Sequence, residues 1–86
     1  MQPDQVASRI LEMLVEVVEG LDVSNVDPDP GLREQLGLDS VDFLDFVMLL
    51  RTRYGIEVPE DDYYRLLTLS TSVAYLGPKF EERRSS

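Results

Sequence analysis

An all-α fold, a four-helix bundle with a long connection between its first two helices and a short third helix, is predicted by three features of this 86-residue sequence. Apolar residues recur at three- and four-residue spacing, nowhere in strict alternation. Gly and Pro fall between those segments, and acidic residues open several of them. A chain this short supports one core rather than two lobes.

The first helix carries Val6, Ile10, Leu11, Leu14, Val17, Val18 and Leu21 on one side, with Asp4 as its predicted N-cap and Gly20 at its far end. From Asp22 to Gly37 the pattern dissolves into Asp, Ser, Asn, Pro and Gly. This is a long crossover, with a short helical turn where Leu32 and Leu36 lie four apart. A second helix runs from about Ser40 to Tyr54 and is ended by Gly55. Pro59 followed by Glu60, Asp61 and Asp62 opens the short third helix, because proline suits the first turn and acids favour the positive end of the helix dipole. Val73, Tyr75 and Leu76 mark a last helix from near Thr71, with a stop at Gly77-Pro78. Residues 1–78 thus form the single domain and 79–86 a polar, disordered tail.

Composition removes whole classes of chemistry. With no cysteine and no histidine, the chain lacks thiolate and imidazole nucleophiles, the usual zinc ligands and disulfides. The net charge of −9 opposes nucleic acid and anionic membranes and favours basic protein surfaces. No apolar run nears the roughly 20 residues that cross a bilayer, and no basic segment leads into one at the start, so the expectation is a soluble, cytoplasmic monomer. A hydrolytic Ser40 would need a nearby base, and the single lysine, Lys79, lies in the tail. A calcium loop at Asp27, Asp29 and Gly31 fails the EF-hand register, since the glycine stands fifth and Leu38 stands twelfth. No catalytic residue and no metal site is assigned.

The remaining motif is Leu36-Gly37-Leu38-Asp39-Ser40-Val41-Asp42. Asp39 can cap the second helix with Asp42 three residues on in the capping-box position, which leaves the Ser40 hydroxyl in the first turn without a structural duty. The helix dipole favours a phosphate ester there, while Asp39 and Asp42 oppose it and hold the group outward. On local pattern alone, the favoured reading of Ser40 is as part of an ordinary cap. Along the second helix, at about 100° per residue, Phe43, Phe46, Val47, Leu50 and Tyr54 share the face that packs inward. Val41, Leu44 and Met48 form a second stripe, which is either an exposed docking strip or part of a helix buried all round.

The run LGLDSVD, the helix FLDFVMLLRTRY followed by GIEVPEDD, and the final helix ending VAYL together resemble the acyl carrier protein family from about Asp4 to Leu76. The resemblance implies a non-catalytic carrier in which Ser40 receives 4′-phosphopantetheine from coenzyme A, through a magnesium-dependent phosphopantetheinyl transferase. The thiol of that arm would hold acyl cargo as a thioester and supply the sulfur that the chain lacks. It also implies partner enzymes, such as loading ligases, synthases and transferases with basic docking surfaces. These would meet Asp39, Val41, Asp42, Leu44, Asp45 and Met48. A cargo pocket is assigned to Val47, Leu50, Val58, Tyr63, Leu66 and Tyr75. Two departures point away from the housekeeping fatty acid carrier toward a specialised lipid or polyketide pathway. Arg51, Thr52 and Arg53 stand where such carriers have glutamates, and Tyr63 replaces a small residue at the mouth of the acyl cavity. A stand-alone aminoacyl or D-alanyl carrier is the alternative within the family type, and an unmodified helical adaptor is the alternative from another class.

Overall fold

The computed structural model describes the backbone of residues 1–85 and the side chains of residues 1–82. In chain order it comprises α1 (Pro3–Val17), the short α2 (Leu32–Leu36), α3 (Ser40–Tyr54), a 3₁₀ segment (Glu60–Leu66) and α4 (Leu69–Ser85). This is the predicted all-α bundle with its long first crossover and short third helix.

α1 begins two residues earlier than Asp4 as N-cap predicts. Its N-cap is Gln2, whose backbone N–H donates to Gln5 Oε1 at 2.8 Å. Pro3 explains the shift, since its fixed φ and missing N–H suit the first helical position, and Asp4 then lies in the first turn. The helix also stops before Gly20, which turns the chain beyond it at φ +82°. The crossover is held by Gln35, whose amide bonds the Asp27 N–H, the Asp27 carbonyl and the Pro30 carbonyl at 3.0, 2.9 and 3.1 Å. It is stitched to the junction of the 3₁₀ segment and α4 by Leu32 N–H to the Leu67 carbonyl and Ser70 N–H to the Pro28 carbonyl, at 2.8 and 2.9 Å. These bonds satisfy a connection that would otherwise expose many backbone groups.

α3 ends where predicted, at Gly55 with φ +66°. Only this left-handed conformation returns the N–H groups of Gly55 and Ile56 to the carbonyls of Arg51 and Leu50, at 2.9 and 3.2 Å. Its Phe43, Phe46, Val47 and Leu50 are buried with Val6, Ile10, Met13 and Leu14 of α1 and Leu69, Leu76 and Phe80 of α4. Tyr54 closes the end of this core, half-buried.

α4 departs most from expectation. It begins at Leu69, two residues before the predicted Thr71, and is preceded by Thr68, with reciprocal bonds from Thr71 N–H to Thr68 Oγ1 at 3.0 Å and from Thr68 N–H to Thr71 Oγ1 at 3.3 Å. The helix then continues through Gly77-Pro78 to Ser85 instead of stopping there. An interior proline costs a helix about 3 kcal/mol, but the apolar stripe of Leu69, Leu76 and Phe80 continues past it. Phe80, 2% exposed, meets the Tyr54 ring edge-on at 5.1 Å. Burying such a side chain contributes about 1.5–3 kcal/mol, which offsets much of the cost. The segment expected to be a disordered tail from Lys79 is therefore helical through Ser85, and Ser86 lies outside the described residues. No helix among the described residues is long and apolar enough to cross a membrane.

Candidate functional site

Ser40 occupies the first turn of α3 and is exposed. The capping box that holds it there is complete: Asp42 N–H donates to Asp39 Oδ1 at 2.8 Å, and Asp39 N–H donates to Asp42 Oδ2 at 3.1 Å. The two carboxylates thus spend acceptor capacity on the backbone while leaving the serine hydroxyl outside the cap. Ser40 Oγ is not wholly without a partner, however, because Arg33 Nη2 donates to it at 3.1 Å. Gly37, at φ +69°, ends α2 and reverses the chain so that residues seven apart can meet. Sequence reading missed Arg33; no helical period links it to Ser40, since they sit on different elements.

Three of the residues assigned to docking form an apolar strip beside Ser40. Val41, Leu44 and Met48 are 64%, 48% and 53% exposed, which shows that α3 is not buried all round. Asp45 is exposed on the same helix, and Asp39 and Asp42 stand at its start. The two arginines that interrupt the acidic character of α3 have different surroundings. Arg51 lies 3.6 Å from Glu57, both exposed, whereas Arg53 is paired with Glu16 of α1. That contact holds the Glu16 carboxyl below its usual range and turns Arg53 toward α1.

The residues assigned to a cargo pocket do not converge on one cavity. Val47, Val58 and Tyr63 line an open groove of about 370 Å³ with Met48, Pro59 and the Arg51–Glu57 pair at its rim. Leu50 and Leu66 belong to the core instead, at 0% and 2% exposure. The Tyr75 hydroxyl donates to Asp62 Oδ2 at 2.8 Å, tying α4 to the 3₁₀ segment. Burial, then this bond, push the Tyr75 phenol up to about 12. A second cleft of about 380 Å³ includes Ser40 itself, with Arg33, Phe43, Leu44, Tyr63, Tyr64 and Leu67. Tyr63 stands between the two, packed edge-on against Phe43 with ring centroids 5.4 Å apart.

Comparison with known proteins matches this arrangement to a family. The sequence pattern of the family described as "Phosphopantetheine attachment site" matches residues 8–76. An acyl carrier protein of Streptomyces coelicolor is 35% identical over 73 residues, covering 85% of this chain and 79% of the relative. Acyl carrier proteins of Rubrobacter xylanophilus and Desulforapulum autotrophicum are 29% identical over 76 residues and 24% over 74, covering 88% and 86% of this chain and 93% and 96% of those relatives. The residues present suit such a group: an exposed hydroxyl for an ester, a guanidinium at hydrogen-bond distance from it, and an adjoining apolar cleft. The chain belongs to the phosphopantetheine-binding acyl carrier protein family, whose members are non-catalytic carriers with 4′-phosphopantetheine as their prosthetic group.

Proposed function

We propose that this protein carries acyl intermediates as thioesters on a 4′-phosphopantetheine arm attached to Ser40 and presents them to partner enzymes of a specialised lipid or polyketide pathway. The observation that supports Ser40 is its exposed hydroxyl at the start of α3, outside the Asp39–Asp42 capping box and, among the described residues, bonded to the half-buried Arg33. When bound, the arm supplies a terminal thiol, which a chain without cysteine cannot. The protein's own residues then do three things. The capping box fixes the first turn of α3, so the attachment point keeps its position when partners change. The strip of Val41, Leu44 and Met48 offers apolar contact next to that point, Met48 being an adaptable surface. Asp39, Asp42 and Asp45 align basic residues of the partner, in keeping with a net charge of −9.

The specialised pathway is favoured by the same departures from a continuous acidic face and an open cavity. Arg51 breaks the acidic character of α3, and Tyr63 occupies the ground between the two clefts.

The test is incubation with coenzyme A, magnesium and a broad-specificity phosphopantetheinyl transferase, followed by intact-mass measurement. Wild type gains one phosphopantetheine; Ser40→Ala gains none and keeps its helical circular dichroism. Addition to Ser40→Ala moves the attachment to another serine and overturns the assignment, whereas none to wild type returns the unmodified adaptor. The mass of the group on the arm in native material separates an acyl from an aminoacyl cargo.

A further inference from the structure

We propose that Arg33 clamps the phosphodiester of the arm on Ser40 and so steers the arm into the cleft walled by Phe43, Leu44, Tyr63, Tyr64 and Leu67, where it rests with a short or aromatic acyl group. This inference depends on Ser40 being the attachment point.

Arg33 is already in place for the task. Its Nη2 lies 3.1 Å from Ser40 Oγ, and its guanidinium sits over the Phe43 ring, 5.9 Å from the centroid. Esterification removes the hydroxyl hydrogen, which this contact does not use, and places the phosphate oxygens two bonds from Oγ. They are then within reach of a planar fork of N–H donors suited to phosphate. Asp39 and Asp42 flank the same point, so a phosphodiester there needs a local cation. Arg65 also stands at this cleft, over the Tyr64 ring at 5.3 Å, but Arg33 alone of the two is at hydrogen-bond distance from Ser40 Oγ, and the arginines of α3 are paired. Arg53 is committed to Glu16 and Arg51 to Glu57, whereas among the described residues no carboxylate forms an ion pair with Arg33.

The cleft gives the clamp a direction. Ser40 and Arg33 both line it, and neither lines the groove on the other side of Tyr63, whose rim carries the Arg51–Glu57 pair. Leu44, Tyr64 and Leu67 leave 48%, 59% and 47% of their surface open there, an apolar patch that begins at the hydroxyl. At about 380 Å³ the cleft stands near the small end of ligand sites. It therefore suits a compact group against the aromatic faces rather than a long alkyl chain.

Because the chain has no cysteine, the arm thiol is the sole thiol of the modified protein, and a methanethiosulfonate nitroxide labels it alone. The pyrroline ring of that probe is itself a compact apolar cargo. Intact mass first verifies one arm, absent from Ser40→Ala; failure at that step refutes the attachment site, not the clamp. With the arm present, paramagnetic broadening of backbone amides reads its position. Broadening is expected to be several-fold greater at Leu44, Tyr64 and Leu67 than at Val58 and Glu57. The contrast should vanish in Arg33→Gln and weaken in wild type at 1 M NaCl, where screening acts within about 3 Å. The clamp is refuted if wild type shows no contrast or if Arg33→Gln keeps it. Should that variant not fold, contrast unchanged in wild type at high salt refutes it equally.

Discussion

Tyr63 meets Phe43 edge-on, with centroids 5.4 Å apart and planes at 75°, and in that position its ring separates the cleft at Ser40 from the groove at Val47 and Val58. Tyr63 is the residue that lines both spaces. Removing it should cost the unloaded protein about 0.5–1.5 kcal/mol for the aromatic pair, beyond the lost burial. It should also open room for a longer chain. In Tyr63→Ala, loading a long saturated acyl group should raise the melting temperature more than it does in wild type, as read by scanning calorimetry. A large rise in wild type, equal to that of the variant, would show that Tyr63 excludes nothing.

The apolar strip on α3 predicts a separation of folding from recognition. Leu44 and Met48 are about half exposed, so alanine at either should change stability by less than about 1 kcal/mol. Loading by the cognate enzyme should fall further, by about 1–2 kcal/mol in kcat/KM, the range of an effective interface contact. Asp45→Lys should slow loading mainly through association and with marked salt dependence. Wild-type loading by all three variants, with stability sharply reduced in the two apolar ones, would make the strip part of the core.

Phe80 provides the measure of where the folded unit ends. It is 2% exposed and packs against Tyr54 beyond Pro78. Phe80→Ala is expected to destabilise by about 3–5 kcal/mol in urea unfolding, the range for buried phenylalanine. A chain ended at Pro78 should lose at least as much. Unchanged stability in both would restore a domain boundary at residue 78.

The Tyr75–Asp62 bond predicts alkaline behaviour. The phenol has an ordinary value of 10 and is pushed up to about 12 in the folded protein, so the fold favours the protonated form. Its contribution is complete below pH 10 and is lost as pH rises from 10 through about 12. In wild type, stability should decline over that window, and Tyr75→Phe should remove this part of the decline. The same alkaline slope in the variant would assign the loss to other groups.

Much of the site could be read directly. The Asp39–Asp42 box, the exposed position of Ser40 outside it, the inward face of Phe43, Phe46, Val47 and Leu50, and the outward stripe of Val41, Leu44 and Met48 all appear where the pattern puts them. The six residues assigned to a pocket fared differently. Leu50 and Leu66 entered the core and Tyr75 turned to Asp62, because apolar identity alone does not say which side of a wall a residue occupies. Phe80 left a legible signal, an apolar residue four beyond Leu76, but Gly77-Pro78 masked it.

The sequence by itself determined the helical character of the chain, the bounds and Asp39–Asp42 cap of α3, and the motif around Ser40, since these rest on interactions three or four residues apart along one backbone. Asp39 reaches Asp42 whatever the rest of the chain does. Only the tertiary structure decided that Arg33 meets Ser40, that Arg53 turns to Glu16, that Tyr63 divides two clefts and that α4 passes through Pro78 to bury Phe80 on Tyr54. Each of these depends on which elements face one another. That choice is made by burying apolar area across the whole bundle, where a gain shared among distant residues can override a local stop signal.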